Sequence, residues 1–228
     1  MIKNIAVERE KLKQRILHLG SEVEANLVKS EKALLEFDHE LARDIITTDE
    51  SIDDLEISVE EKCLQILAQH QPVASDLRFV VTVLKINNDL ERIGDLVAKI
   101  ADRILLLADN HYTPFTAPQT VQFPERFQHM FAETAKMVTM SLDSFVRMDA
   151  DLAYKVRLWD DQVDEAKKVI RQQIEEIIQN DASQQPYLGM LLSVSRSLER
   201  IADHATHIAE NVIYMLQGLI VRHTPEGH

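Results

Sequence analysis

Two blocks of the chain carry carboxylates at the same spacing. The first block is Leu90-Glu-Arg-Ile-Gly-Asp95, and Leu198-Glu-Arg-Ile-Ala-Asp203 repeats it 108 positions later. Residues four apart on an α-helix lie on one face, and residues eleven apart return to within about 20° of each other. Each block therefore predicts an acidic stripe along a helix. Its members are Glu91, Asp95 and Asp102 in the first half, and Glu199, Asp203 and Glu210 in the second.

A second acid pair lies upstream in each half. Asp49 and Asp53 are four residues apart, and Asp160 and Asp164 repeat them at an offset of 111. Like charges at this spacing destabilise a helix by a few tenths of a kcal/mol. Four such pairs at matching positions are therefore hard to attribute to solubility alone. Two helices of each half are predicted to carry an acid-x-x-x-acid pair.

The chemistry that these acids favour is the binding of hard cations. Carboxylate oxygens suit Mg²⁺, Mn²⁺ or iron and can bridge two metal ions. The apolar pattern places the acids away from the core, so we expect an open, wet site on the outer surface. Such a site suits recognition, or the bridging of an anion, better than shielded redox chemistry. Lys99, four residues after Asp95, would weaken the first cluster, whereas His207 at the matching position is a candidate ligand.

The sequence contains none of the motifs that indicate nucleotide binding, zinc-dependent hydrolysis or nucleophilic catalysis. The chain has no glycine-rich phosphate loop, no H-x-x-x-H pair with a glutamate, and no setting for a nucleophile elbow. We therefore predict no catalytic residues and no organic cofactor, and we interpret His204 and His207 as an ordinary polar surface. Two alternatives remain open at this point: a carboxylate-bridged metalloenzyme, and a helical scaffold without metal.

The apolar residues predict the elements that position the acids. They recur at spacings of three and four, which is typical of helices packed in a bundle. The predicted fold class is all-α, a tandem repeat of two three-helix up-down-up bundles with six long helices. We expect helices over 7–46, 47–69, 73–108, 124–156, 159–179 and 186–219, the second beginning at a capping box of Thr47 and Glu50. The expected domains are 1–112 and 125–228, joined by a proline-containing linker over 113–124.

Composition excludes several classes of function. The chain has 228 residues and a formal net charge of −13, which disfavours binding to nucleic-acid phosphates. Cys63 is the only cysteine, so no disulfide forms within the chain and a reducing cytoplasm fits. No apolar run approaches the roughly 20 residues that cross a bilayer. We expect a cytoplasmic protein without direct membrane insertion.

The chain resembles a known family. The two blocks, the turn Gln71-Pro72-Val-Ala-Ser-Asp-Leu-Arg78 and the tandem arrangement look like PhoU, the accessory regulator of phosphate-specific transport in bacteria. The resemblance implies two three-helix bundles side by side and a regulator rather than an enzyme. It also implies a cytoplasmic adaptor that represses phosphate uptake and the phosphate-starvation response. Such an adaptor links the ATPase subunit of the phosphate ABC transporter to a membrane sensor histidine kinase; a homodimer is also expected.

The resemblance also implies a metal site. In the family, an (Glu/Asp)-x-x-x-Asp motif can bind multinuclear iron or zinc clusters on the surface, and other divalent metals are alternatives. Matched by position, the ligand pairs are Asp49 with Asp53, Glu91 with Asp95, Asp160 with Asp164, and Glu199 with Asp203. Asp102 and Glu210 are additional candidates. The second block departs from the first at Ala202, which stands where the first has Gly94.

Overall fold

The computed structural model describes residues 5–109, 125–182 and 185–221. Within these ranges the chain forms six helices, as predicted. They are α1 (Ile5–Glu36), α2 (His39–His70), α3 (Ala74–Asp109), α4 (Glu125–Arg147), α5 (Ala150–Asn180) and α6 (Gln185–Gln217). None of the described helices is long and apolar enough to cross a membrane. The predicted linker over 113–124 lies outside the described residues.

Each half of the chain is a three-helix bundle. Helices α1, α2 and α3 pack against one another, and so do α4, α5 and α6. The predicted apolar seam of α3 is buried at Val83, Ile86, Leu90, Ile93 and Val97. Its counterpart on α6 is buried at Leu191, Val194, Leu198, Ile201 and Ala205. The heptad pattern therefore places the acidic faces of α3 and α6 correctly, because the seams beside them are the bundle cores.

The two bundles lie side by side. Helix α3 packs on α6, and α1 packs on α4. Phe79 of α3 stacks on Phe145 of α4 with ring centroids 5.9 Å apart, and Thr82 Oγ1 donates a hydrogen bond to the carbonyl of Asn211 at 3.4 Å. At Gly20 of α1, an added Cβ would lie 2.7 Å from Leu142 Cδ1 of α4. The glycine thus admits a neighbouring side chain at the contact between the bundles.

Two predicted helix boundaries were wrong. The first turn lies at residues 37–38, not at Thr47, and the fourth helix ends at Arg147, not near 156. Thr47 lies inside α2, where its hydroxyl donates a hydrogen bond to the carbonyl of Arg43 at 3.0 Å. Such back-bonding to residue i−4 satisfies a threonine within a helix, so the capping box does not form.

The observed turns follow a helix-ending geometry that usually uses glycine. Phe37 and Met148 have φ values of 54° and 53°, in the left-handed region. The N–H of Asp38 then donates to the carbonyl of Ala33 at 3.0 Å, and that of Asp149 to Ser144 at 2.9 Å. These are the 6→1 bonds of a Schellman motif.

Each aspartate also begins the next helix. The Asp38 carboxylate accepts a hydrogen bond from the N–H of Leu41 at 2.9 Å, and Asp149 accepts one from Leu152 at 3.0 Å. An aspartate in this position satisfies one of the free amide groups of the first helical turn. One residue therefore closes one helix and caps its successor in both halves.

Candidate metal-binding surface

The first acidic cluster joins α2 to α3. Asp49 and Asp53 come from α2, and Glu91 and Asp95 come from α3. Burial raises the pKa of Asp49 to about 6, helped by the nearby charges of Asp53, Asp95 and Glu91. Burial disfavours the charged form of a carboxyl group, and nearby like charges add to this effect. The charges of the three other candidate ligands of the first half therefore all act on Asp49.

The second acidic cluster repeats this arrangement between α5 and α6. Its members are Asp160, Asp164, Glu199 and Asp203. Burial raises the pKa of Asp160 to about 6, and the charges of the other three members and of Asp161 contribute. Burial and the charge of Glu199 also raise the pKa of Asp203.

A close helix contact creates the first cluster. Gly94 of α3 faces α2, and a Cβ built on it would lie 3.1 Å from Asp49 Oδ1 and 3.2 Å from Ile52 Cγ2. Both distances are short for a carbon contact, so Gly94 lets the α2 carboxylate lie against the α3 backbone. In the second half Ala202 holds the matching position and is fully buried. The second contact therefore accommodates the methyl group that the first one lacks room for.

The clusters are open on one side and shielded on the other. Asp53 and Asp164 are exposed, whereas Asp49, Asp160 and Glu91 are partly buried. The Glu91 side chain is 21% exposed, and its Oε2 atom is closed to solvent and lies 3.3 Å from Arg92 Nε without a hydrogen bond. The acids lie outside the apolar core, but each cluster contains both exposed and partly buried members.

Protein cations already lie beside some of these carboxylates. In the first cluster Arg92 contacts Glu91 at 3.3 Å and Asp95 at 3.4 Å, and Lys99 contacts Asp95 at 3.4 Å. In the second, Lys167 of α5 forms an ion pair with Glu199. The two clusters therefore recruit their counter-ions from different places.

Sequence reasoning missed a fifth acid in the first cluster. Burial raises the pKa of Glu56, and the charges of Glu60, Glu91 and Asp53 add to this effect. Asn87 donates hydrogen bonds to the carbonyl and to Oε1 of Glu56, at 3.0 and 2.8 Å. Glu56 follows Asp53 by three residues, which places both on one helix face. That spacing is the signal that would have found it.

The two additional candidates lie elsewhere. Asp102 is exposed on α3, two turns beyond Asp95, where it lines a groove with Arg103 and Leu106. Glu210 is buried, contrary to its expected outward position, and forms an ion pair with Arg157 of α5 at 3.6 Å. The seven-residue step from Asp203 turns the helix by only about 20° from the starting direction, so Glu210 is buried by its surroundings, where Arg157 balances its charge. Neither residue is among the charges that raise the pKa of Asp49 or Asp160.

A third group of polar side chains lies between the two bundles. Asp89 of α3 faces His204 and His207 of α6, with its Oδ1 atom 2.9 Å from Nδ1 of His204 and 3.6 Å from Nδ1 of His207. Burial alone would raise the pKa of Asp89, but the interactions with both histidines outweigh it and lower the pKa. The histidine pair was noticed in the sequence and interpreted as a polar surface. Asp89 was not singled out.

The two acidic clusters fit a hard cation chemically. All their candidate ligands are carboxylates, the donors that Mg²⁺, Mn²⁺ and iron prefer. Burial and the repulsion between like charges raise the pKa values of Asp49 and Asp160, and a bound cation would relieve that repulsion.

Comparison with known proteins then decides the family. The model of the PhoU domain matches the chain twice, at residues 16–104 and 127–212. The chain belongs to the PhoU family. The two matches correspond to the two bundles, so the predicted family, all-helical fold and tandem arrangement are confirmed.

Relatives of PhoU type cover nearly the whole chain. A Pseudomonas aeruginosa protein named phosphate-specific transport system accessory protein PhoU homolog is 36% identical over 217 residues, covering 95% of this chain and 86% of that protein. The crystal structure of PhoU from Pseudomonas aeruginosa superposes with a TM-score of 0.87 at 34% identity, covering 95% of this chain and all of the other. A Streptococcus pneumoniae structure described as the phosphate transport system regulatory protein PhoU gives 0.86 at 28% identity, covering 96% and 99%. These proteins are accessory and regulatory, so the prediction of a non-enzyme is confirmed.

Proposed function

We propose that this protein is a negative regulator of phosphate uptake and of the phosphate-starvation regulon. It acts in the cytoplasm as an adaptor, a homodimer that links the ATPase subunit of a phosphate ABC transporter to a sensor histidine kinase. The observation that carries this proposal is the match, over 95% of the chain, to a protein named for phosphate-specific transport. The two acidic clusters are the surface features that we assign to regulation.

The clusters are proposed to bind multinuclear metal, with iron or zinc as the leading candidates. Two features support this assignment. Two helices in each half carry four carboxylates whose charges interact, and the pKa of one aspartate in each cluster is raised to about 6. Both features indicate sites where negative charge is concentrated beyond what the fold requires. Metal bound there would reduce the negative charge of the surface that a protein partner contacts.

The regulatory role is tested by deleting the gene. We expect expression of the phosphate-starvation regulon to rise in phosphate-replete medium, and a plasmid copy of the wild-type gene to restore repression. Unchanged expression after deletion would overturn the proposal. Co-purification of the transporter ATPase subunit and of the kinase with the tagged protein tests the adaptor mechanism separately, and the absence of both would leave a regulator of another kind. Light scattering measures whether the protein is a dimer.

The contribution of the clusters is tested in the same strain. A variant with Asp49→Asn, Glu91→Gln, Asp160→Asn and Glu199→Gln removes one acid from each pair. We expect it to restore repression less than the wild type does. A matched control is Glu40→Gln with Glu165→Gln, two exposed acids on α2 and α5 outside the clusters. Full repression by the cluster variant would show that regulation does not depend on these carboxylates.

A scaffold without metal is the second candidate, and one observation favours it. Arg92, Lys99 and Lys167 already pair with cluster carboxylates and partly balance their charge. Elemental analysis of protein purified without chelator separates the two candidates. Stoichiometric iron, zinc or manganese supports the metal site, whereas protein free of metal that still restores repression supports the scaffold.

A further inference from the structure

The triad of Asp89, His204 and His207 is not part of the sequence repeat. It connects α3 of the first bundle to α6 of the second. At the repeat offset of 108, Asp89 corresponds to Ser197, while His204 and His207 correspond to Leu96 and Lys99. The first half therefore has no equivalent of this triad. It arises from the packing of one bundle on the other.

Its three side chains present donor atoms to one point. The Asp89 Oδ1 and a ring nitrogen from each histidine lie within 4.8 Å of one another. His204 and His207 are three residues apart, so they project from the same face of α6. Their rings meet edge to face, with centroids 5.7 Å apart. Ligands of a tetrahedral zinc ion stand about 3.3 Å apart at bond lengths of 2.0–2.1 Å, close to the 2.9 and 3.6 Å seen here.

The surroundings also suit a bound ion. The side chains of Asp89 and His204 are 12% and 17% exposed, so two of the donors are held firmly by the packing of α3 on α6. His207 is 49% exposed, which leaves a solvent-facing position for water. Two imidazoles and one carboxylate form a donor set used by zinc and by ferrous iron, unlike the all-oxygen sets of the acidic clusters.

An ion pair between Asp89 and a protonated His204 explains only part of this geometry. It accounts for the 2.9 Å contact, but a second protonated histidine beside the same carboxylate would repel the first. A divalent cation uses all three donors and needs both imidazoles neutral.

We propose that Asp89, His204 and His207 bind a divalent transition metal of the zinc class, which clamps the two bundles together. This site is separate from the regulatory role of the acidic clusters and does not depend on it. The bound ion would add a cross-link between α3 and α6, so loading raises the thermal stability of the whole chain.

X-ray absorption at the zinc edge tests the ligand set in the wild-type protein. With one equivalent of Zn²⁺ and no other metal, we expect the multiple-scattering signature of two imidazoles. Zinc surrounded by oxygen alone would place that equivalent in an acidic cluster and overturn the proposal.

Zinc titration with a competing indicator measures the affinity. Loss of an outer partner of a metal ligand costs about 10- to 100-fold in affinity, so loss of a direct ligand by His207→Gln should cost at least tenfold. The matched control is His129→Gln on α4, because His129 is 47% exposed and contacts the Glu133 carboxylate at 3.7 Å. We expect the control to bind as the wild type does. Equal affinity of His207→Gln and the wild type would overturn the proposal.

A second variant keeps the test independent of folding. His207 is exposed, so His207→Gln should unfold at the wild-type temperature without zinc and lose the stabilisation that zinc adds. Asp89→Asn retains the shape of the side chain and should lose the same stabilisation. Zinc stabilisation that survives in both variants would refute the clamp.

Discussion

The two acidic clusters share a geometry and differ in their neighbours. Both are built from four carboxylates on the second and third helices of a bundle, and both raise the pKa of one aspartate to about 6. In the first half, the position after them on α2 holds a fifth acid, Glu56. In the second half, the matching position at offset 111 holds Lys167, which pairs with Glu199.

This difference separates what duplication preserved from what diverged. The acid positions and the helix turns that set them are the same in both halves. The counter-ions are not, since the first half takes Arg92 and Lys99 from α3 itself and the second takes Lys167 from α5. The clusters should therefore bind the same class of cation, with affinities that depend on different neighbouring charges.

The largest expected effect is loss of metal from one cluster at a time. Asp49→Asn with Glu91→Gln should remove the metal of the first cluster, because two of its four ligands lose their charge. Asp160→Asn with Glu199→Gln should do the same in the second. Elemental analysis after loading and desalting measures both, and a variant that retains its full metal content would show that the ion lies elsewhere.

Exchanging the differing residues should shift the two affinities in opposite directions. Glu56→Lys places a lysine in the first cluster, and Lys167→Glu places an acid in the second. Unit charges about 4 Å apart interact by roughly 1 kcal/mol in water and more near a protein surface, which corresponds to about tenfold in affinity. Calorimetric titration should show weaker binding at the first cluster and tighter binding at the second. Changes in the same direction would contradict the comparison.

The pH dependence of stability should be alike in the two halves. Asp49 and Asp160 have a pKa of about 6 in the folded protein against an ordinary 3.8, so the folded state holds their protons more tightly. The free energy of unfolding of the metal-free protein therefore falls as pH rises from about 4 to about 6. Asp49→Asn and Asp160→Asn each remove part of this fall, measured by urea unfolding with chelator. Asp102→Asn, at an exposed aspartate outside both clusters, should leave it unchanged, and a flat profile in the wild type would contradict the assignment.

The smallest effects should come from the helix turns. Asp38→Ala and Asp149→Ala each remove an N-cap hydrogen bond, so each should lower the free energy of unfolding by about 1 kcal/mol. Thermal unfolding monitored by circular dichroism measures the loss. A large inequality between the two would show that the turns are not equivalent. Asp38→Asn and Asp149→Asn are the controls, because asparagine caps nearly as well.

Much of this molecule was predictable from periodic spacing. The offsets of 108 and 111 predicted two bundles and the acid pairs on their helices. A repeated sequence pattern folds into a repeated set of helices, so the acids recur at matching positions. The turns were missed because Phe37 and Met148 occupy left-handed positions where a glycine would have marked the helix end. The recurrence of Asp38 and Leu41 as Asp149 and Leu152 was nevertheless visible.

The helical spacing of residues in the sequence could not predict the contacts between the two bundles. Asp89 meets His204 only because α3 packs on α6, and the residues are 115 positions apart. Helical spacing orients a side chain about its own axis but does not say which distant helix faces it. The burial of Glu210 was also missed, although its contact with Arg157 of α5 lies within the second bundle.

The turn between α1 and α2 is as short as two residues. Phe37 alone separates the end of α1 from the aspartate that caps α2, and Met148 does the same for α4 and α5. One inserted residue would advance the start of α2 by about 100° around its axis, and Asp49 and Asp53 would point away from α3. The direction in which the Asp49 and Asp53 side chains project from α2 is thus set more than ten residues upstream, by the left-handed backbone of Phe37. A protein with one residue inserted between α1 and α2 would keep every acid but would no longer direct the α2 acids toward those of α3.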